Sequence, residues 1–429
     1  MRVIVIGAGA MGLAAAYHAS SAGHEVTVVE AGPVAGGMAA HFDFGGLSLE
    51  RFYHFICKAD QPTFDILRDL GISDRLKWRQ TTMGFYIDGK LRDWGDPFSL
   101  LRFSAVSAVA KVRYGLLAFV STKREHWHAL EHQTAREWIT RWAGKEAYQR
   151  LWEPLFRLKF YEFADDISAA WIWTRVKRIG RSRRSLFKEE LGYLEGGSET
   201  LVRALVDGIQ ANGGAVQLAT PAQRVEVADG RVRGVRTAAG VLPADAVIST
   251  VPTPLVAPMV PDLPAEWAER YAQVINIGVC CLVFRLKRSV SPHFWVNISD
   301  PAIEIPGIVE FSNLRPTDET IVFVPYYMPV THPKWSWSDE QLLDEAWGYV
   351  CRLNPTLKAS DRIDGTVSRL RHAQPVCPPG FAATIPPIQT PIKGLQVADT
   401  SFYYPEDRGI SESVRLGKLM AEMLEEQSS

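Results

Sequence analysis

Residues 7–12 read Gly7-Ala8-Gly9-Ala10-Met11-Gly12, set between an apolar β-branched run at 2–6 (RVIVI) and a helix-forming stretch at 13–21. A second β-branched run at 25–29 (EVTVV) ends at Glu30. Strand, glycine turn, helix, strand and acid in that order confine the chain to a parallel α/β unit that holds a dinucleotide. Gly7 permits the tight turn, Gly9 lets a pyrophosphate approach the backbone, and Gly12 lets the helix pack closely on the strand. Ala10 and Met11 open a helix whose free N–H groups and positive dipole end face the phosphates. Glu30 suits the two ribose hydroxyls, and an acid there disfavours a 2′-phosphate. A chance glycine-rich turn would not bring all five elements in sequence.

A second glycine pair follows the acid. Ala31 leads into Gly32, then Gly36-Gly37-Met38, then Phe42, Asp43, Gly45 and Gly46. This arrangement resembles the flavin-containing amine oxidase superfamily, which includes the protoporphyrinogen oxidases and carotenoid desaturases, with the UDP-galactopyranose mutases nearby. The resemblance implies non-covalent FAD, with Ala31, Gly37 and Met38 against it. Many members carry Arg after the glycine pair, so Met38 removes a cation from that edge. The resemblance also implies that the Val225 backbone meets the adenine, and that Asp399 holds the ribityl or pyrophosphate end. A helix starting at Gly409-Ile410-Ser411 would point its N-terminus at the flavin pyrimidine. Ala398 stands where most members have Gly. No cysteine near the C-terminus matches a covalent flavin site.

The expected fold class is α/β: a Rossmann-like FAD-binding domain with an inserted α+β substrate domain. The FAD domain would be discontinuous, from 1–79, 190–250 and 386–429. Within its middle piece, Ser198 reads as the N-cap of a helix over 201–211, and Asp229-Gly230 reads as a hairpin turn. The substrate domain would come from 80–189 and 251–385. The first of these inserts reads as helical. The second carries strand-like runs at 278–286 and 320–327, suited to one wall of a cavity.

The charge balance excludes one broad class. Among 429 residues, Lys and Arg number 47 and Asp and Glu 48, so nothing steers the whole molecule toward nucleic acid. The five cysteines (Cys57, Cys280, Cys281, Cys351 and Cys377) are odd in number and form no C-x-x-C pair. That argues against a metal site or a disulfide framework. No signal peptide and no spanning helix are expected, so the expected place is cytoplasmic, with peripheral contact on the inner membrane face as the alternative. Oligomeric state stays open.

Four stretches bear on the substrate. Residues 98–120 are apolar with basic residues set in, suited either to packing on the substrate domain or to a membrane face beside an entrance. Residues 171–188 (WIWTRVKRIGRSRRSLFK) carry seven cations and no acid. They suit either a solvated loop or a phosphate site, with Arg175, Arg181 and Arg184 as ligands. Tyr53 and His54 lie in an aromatic run that the resemblance places near the flavin ring, where either could act catalytically. Tyr326 and Tyr327 are further pocket candidates. The expected activity is hydride-equivalent transfer between flavin and a bulky, amphiphilic or phosphate-bearing small molecule, such as an isoprenoid, a porphyrin-like compound or an amine. A non-redox flavoenzyme resembling UDP-galactopyranose mutase is the alternative.

Overall fold

In the computed structural model the described residues are 1–185 and 188–426; of 183–185, 188, 425 and 426 only the backbone is described. Arg2–Ile6 is the middle strand of a five-stranded parallel sheet. The spatial order is Ala215–Gln217, Glu25–Val29, Arg2–Ile6, Ala246–Ser249 and Leu395–Val397. Three distant parts of the chain therefore share one sheet. Successive side chains of its central strand alternate between two cores. Val3 and Val5 pack with the helices Ala10–Ser21, Glu199–Ala211 and Ile410–Glu426, while Ile4 and Ile6 face Val225, Val235 and Trp267. Burial on both faces is why the strand is apolar from Val3 to Ile6, after exposed Arg2 at its edge.

Over the second core lies an antiparallel meander, Arg224–Ala228, Arg231–Thr237 and Gly240–Pro243. Its first turn has Asp229 and Gly230 both at positive φ, as the Asp-Gly pair predicts. Ser198 departs from expectation. It occupies the N-cap position of Glu199–Ala211, but its side chain caps no helix N–H; its hydroxyl and backbone N–H both donate to buried Glu50, at 3.0 and 3.1 Å.

A seven-stranded sheet forms the second body. Its order is Arg362–Pro375, Asn276–Leu286, Thr320–Met328, Gly307–Glu310, Trp295–Ser299, Met83–Ile87 and Lys90–Trp94. The last two strands correct the reading of the first insert as helical. That insert opens with a hairpin, which completes the sheet of the second insert through the parallel pairing of Met83–Ile87 with Trp295–Ser299. Leu76–Thr81 pairs with Lys188–Leu194, so the limits drawn at 79/80 and 189/190 fall within two partnered strands. Helices fill the space between the hairpin and that strand, chiefly Ala108–Lys123, Ala135–Ala143, Glu153–Phe160 and Ala169–Arg181.

The basic stretch at 171–188 is mostly helix. The N-terminal half of Ala169–Arg181 is buried all round, Trp171, Ile172, Trp173 and Thr174 included, and its partly exposed C-terminal half carries the cations. No helix among the described residues is long and apolar enough to cross a membrane.

Candidate active site

One cavity of about 1380 Å³ runs from the glycine fingerprint to the seven-stranded sheet. At its first end the helix Ala10–Ser21 begins at Gly9, with no side chain capping it, and Ala10 and Met11 line the cavity. Its free N–H groups are thus open to an anion. A Cβ on Gly9 would meet nothing within 4 Å, whereas one on Gly37 would lie 3.0 Å from the Gly9 Cα. The two glycine motifs are packed together, and Gly9 leaves the space that a diphosphate would fill. Glu30 borders the same space. Its carboxylate accepts the backbone N–H of Ala8 at 2.8 Å and of Gly32 at 2.7 Å, which fixes its direction and leaves lone pairs for ribose hydroxyls. These residues fit a dinucleotide.

The C-terminal fingerprint meets the cavity from the other side. Asp399 lines it, but both of its carboxylate oxygens are used in the protein. One accepts the Thr253 N–H at 2.7 Å and the other the Ser401 N–H at 2.8 Å. Asp399 thereby ties the last strand to the loop after Ala246–Ser249. Gly409 and Ile410 line the cavity at the start of the last helix, while Ser411 is buried outside the lining. Gly7, Gly37 and Met38 border the cavity; Gly12, Ala31 and Val225 do not. Gly12 acts through packing, Ala31 is exposed, and Val225 is fully buried in the second core.

The far end is aromatic. Tyr53 packs edge-on to Trp295 at 5.4 Å and to Phe323 at 5.8 Å. Burial, with the Tyr327 hydroxyl beside it, pushes the Tyr53 phenol well above its ordinary pKa. His54 lines the cavity with Nδ1 buried and unpartnered, and burial lowers its pKa to about 4. Its imidazole is therefore neutral. Tyr327 lines the cavity, but Tyr326 points to the opposite face of the sheet. There its hydroxyl donates to Glu345 at 3.0 Å, which removes it from the site. Alternation along a strand decides this.

Arg175, Arg178 and Arg181 line the cavity, but among the described side chains of the basic stretch each cation is already paired with an acid. Arg175 pairs with Asp407, Lys177 with Glu125 at 3.7 Å, Arg178 with Asp60 at 2.7 Å, and Arg181 with Glu125 at 2.9 Å. Each of these four cations has an acid partner from a distant part of the chain, Lys177 and Arg181 sharing Glu125. The side chain of Arg184 lies outside the described residues. Four cavity residues went unnoticed in the sequence: Lys159, Glu406, Asp407 and Arg408. Burial and the neighbouring Glu412 raise the Glu406 carboxyl to a pKa of about 7. Burial also works to raise Asp407, but Arg175, Lys159, Arg408 and Arg178 outweigh it and hold that carboxyl below its usual value. The signal available was three successive charged residues directly before the Gly409 motif.

Comparison with known proteins agrees with this geometry. The family described as flavin containing amine oxidoreductase matches residues 12–404. The chain is 24% identical to the 15-cis-phytoene desaturase of an Oncidium hybrid cultivar, over 99% of this chain and 78% of that one. It is 27% identical to the 15-cis-phytoene desaturase of Synechococcus elongatus, over 61% of this chain and 60% of that one. Among solved structures, a putative protoporphyrinogen oxidase from Exiguobacterium superposes with a TM-score of 0.76 at 19% identity, covering 99% of this chain and 98% of the other. Putrescine oxidase bound to putrescine superposes with a TM-score of 0.75 at 17% identity, covering 99% of both chains.

Proposed function

The chain belongs to the flavin-containing amine oxidoreductase family, and from that premise we propose that it binds FAD non-covalently and oxidises a bulky, largely apolar small molecule. One observation carries this reading: a single cavity joins the dinucleotide fingerprint to an aromatic chamber. When bound, FAD supplies the acceptor of a hydride equivalent. Gly7, Gly9 and the N-terminus of Ala10–Ser21 would hold its diphosphate, and Glu30 its ribose. The N-terminus of Ile410–Glu426 would place partial positive charge at its pyrimidine end. Tyr53, Trp171 and Trp295 bind the apolar body of the substrate and keep water from the reacting bond. His54, held neutral, can accept or donate a hydrogen bond without adding charge. The phytoene desaturase relatives favour a long apolar substrate over a small amine.

Substrate entry is read from the helices Pro97–Arg102 and Ala108–Lys123. Val109, Val112, Leu116 and Phe119 recur at spacings of three and four, and 49–71% of each is exposed. Phe98 and Leu101 continue the apolar surface on the preceding helix, and Arg102, Lys111, Lys123 and Arg124 lie around it. Phe119 also lines the cavity, together with Leu100, Tyr114 and Ala118. An anionic lipid surface complements this apolar stripe and its basic surround, and would deliver an apolar substrate at the cavity mouth.

The test is purification with FAD, followed by anaerobic titration with polyprenoid, porphyrinogen and amine donors while flavin absorbance is recorded. Bleaching by a bulky apolar donor is expected. A protein that takes up no FAD overturns the cofactor reading. One bleached by short amines alone overturns the substrate reading.

A further inference from the structure

We propose that the Lys159 and Arg408 side chains, which flank the ring of Tyr327, anchor an acid group (carboxylate or phosphate) on the substrate. The inference rests on the reading of the cavity as a substrate site. Lys159 Nζ lies 4.9 Å from the centre of the Tyr327 ring, and the Arg408 guanidinium carbon 5.4 Å from it. The rings of Trp171 and Phe160 stand 5.1 and 5.4 Å from the same Nζ. Among the described residues Lys159 makes no hydrogen bond, and no carboxylate comes within 4 Å of it. Arg408 donates to the Tyr327 hydroxyl at 2.9 Å and to the Ala373 carbonyl, and it too lacks a carboxylate partner among the described residues. At least three of its five N–H donors remain free.

The charges around the pair do not cancel. Arg175 comes from the helix Ala169–Arg181, Asp407 and Arg408 from the loop before the last helix, and Cys377 from the end of the long edge strand. Asp407 pairs with Arg175 through one oxygen; its other oxygen is buried without a hydrogen-bond partner, and neither comes within 4 Å of Lys159 or Arg408. The Cys377 thiol is pushed well up by burial and brings no charge. Lys159 is left with aromatic faces, and Arg408 with an aromatic face and two neutral acceptors, all weaker partners for a cation than an anion. Burial, with Arg175 and Arg408 adding to it, lowers the Lys159 amine well below its ordinary pKa. Lys159 is partly exposed and lines the cavity, so an anion within the cavity can reach it. The arriving acid group would restore the ammonium by proton uptake and take hydrogen bonds from both residues.

The test uses flavin-loaded protein and four probes with one chain and different heads: decanoate, decyl phosphate, decanol and decylamine. Binding is read by calorimetry and by perturbation of flavin absorbance. Decanoate or decyl phosphate should bind at least about 10-fold tighter than decanol. The tighter of the two identifies the acid group. Lys159→Met should weaken the acid probes about 10- to 100-fold and leave decanol within about 2-fold, while Lys159→Arg retains them. Arg408→Gln should act in the same direction. Decanoate binding should weaken as pH rises, by up to about 10-fold per unit, with proton uptake visible in buffers of different ionisation enthalpy. The Met variant should lose both effects. Decanol or decylamine binding as tightly as decanoate overturns the anchor, as does unchanged decanoate binding in both the Met and Gln variants. If none of the four binds flavin-loaded protein, the cavity reading fails. If FAD is not taken up, the cofactor reading fails, and absorbance shows that before any probe is added.

Discussion

A Cβ placed on Gly12 would lie 2.0 Å from the carbonyl oxygen of Gly7 and 2.8 Å from Oγ1 of Thr250. The first helix crosses its strand at backbone contact, and the turn between them keeps its shape because of it. Gly12→Ala should cost about 1–3 kcal/mol through overpacking and should reduce flavin content. Thermal unfolding and the ratio of flavin to protein absorbance measure the two effects. Gly9→Ala is the contrast, because its methyl meets no protein atom within 4 Å. That variant should unfold close to the wild-type temperature yet bind FAD poorly, since the methyl takes the space of the diphosphate.

Arg178 and Arg181 look alike in sequence and should behave differently. Arg178 donates twice to Asp60, at 2.9 and 2.7 Å, and the Asp60 side chain is only 6% exposed. Arg178→Ala strands that carboxylate in the interior and should cost about 3–5 kcal/mol by denaturant unfolding. Arg181 pairs with Glu125 on the surface, so Arg181→Ala should leave the unfolding midpoint nearly unchanged. Equal effects would contradict this placement.

His54 gives a stability dependence on pH with a defined sign. Its pKa falls from 6.5 to about 4 on folding, because burial favours the neutral ring. The unfolded chain therefore binds more protons between these values. Stability should be complete above pH 6.5 and decline as pH drops toward 4, by on the order of 2–3 kcal/mol in all. Urea midpoints across pH 4–7 should show a shallower slope for His54→Gln than for wild type.

The exposed stripe on Ala108–Lys123 predicts lipid dependence. Val112→Ser with Leu116→Ser should reduce co-sedimentation with anionic phosphatidylglycerol vesicles several-fold and leave flavin content intact. Binding to neutral vesicles should be weaker from the start, and binding to the anionic vesicles should fall as salt is raised. Undiminished binding by the double variant would show that another surface makes the contact.

Much of the fold was legible because its signals are local. The fingerprint at 7–12, the acid at Glu30, the Asp229-Gly230 turn and the runs at 278–286 and 320–327 each follow from a few adjacent residues. The errors have a common cause. Ser198 stands at the N-cap that the sequence predicts, but its hydroxyl goes to Glu50, 148 positions away, instead of to the helix. The hairpin of Met83–Ile87 and Lys90–Trp94 lies inside an insert that is mostly helical, and its pairing partner Trp295–Ser299 comes some two hundred residues later. Arg175, Arg178 and Arg181 read as a phosphate patch because Asp407, Asp60 and Glu125 are remote in sequence. Lys159 gave no signal, since a lysine beside Phe160 is as common on a surface as in a cavity.

Taken alone, the amino-acid sequence determined the dinucleotide unit, the flavin family and the alternation that buries both faces of Arg2–Ile6, because backbone sterics and side-chain periodicity act over short distances. Only the tertiary structure decided which charges are neutralised. It spends the acids on Arg175, Arg178 and Arg181, turns Tyr326 away and Tyr327 inward, and leaves Lys159 and Arg408 beside that ring without an anion. Charge pairing depends on distance in space, and the chain crosses this cavity from several remote segments before the balance of any one cation is settled.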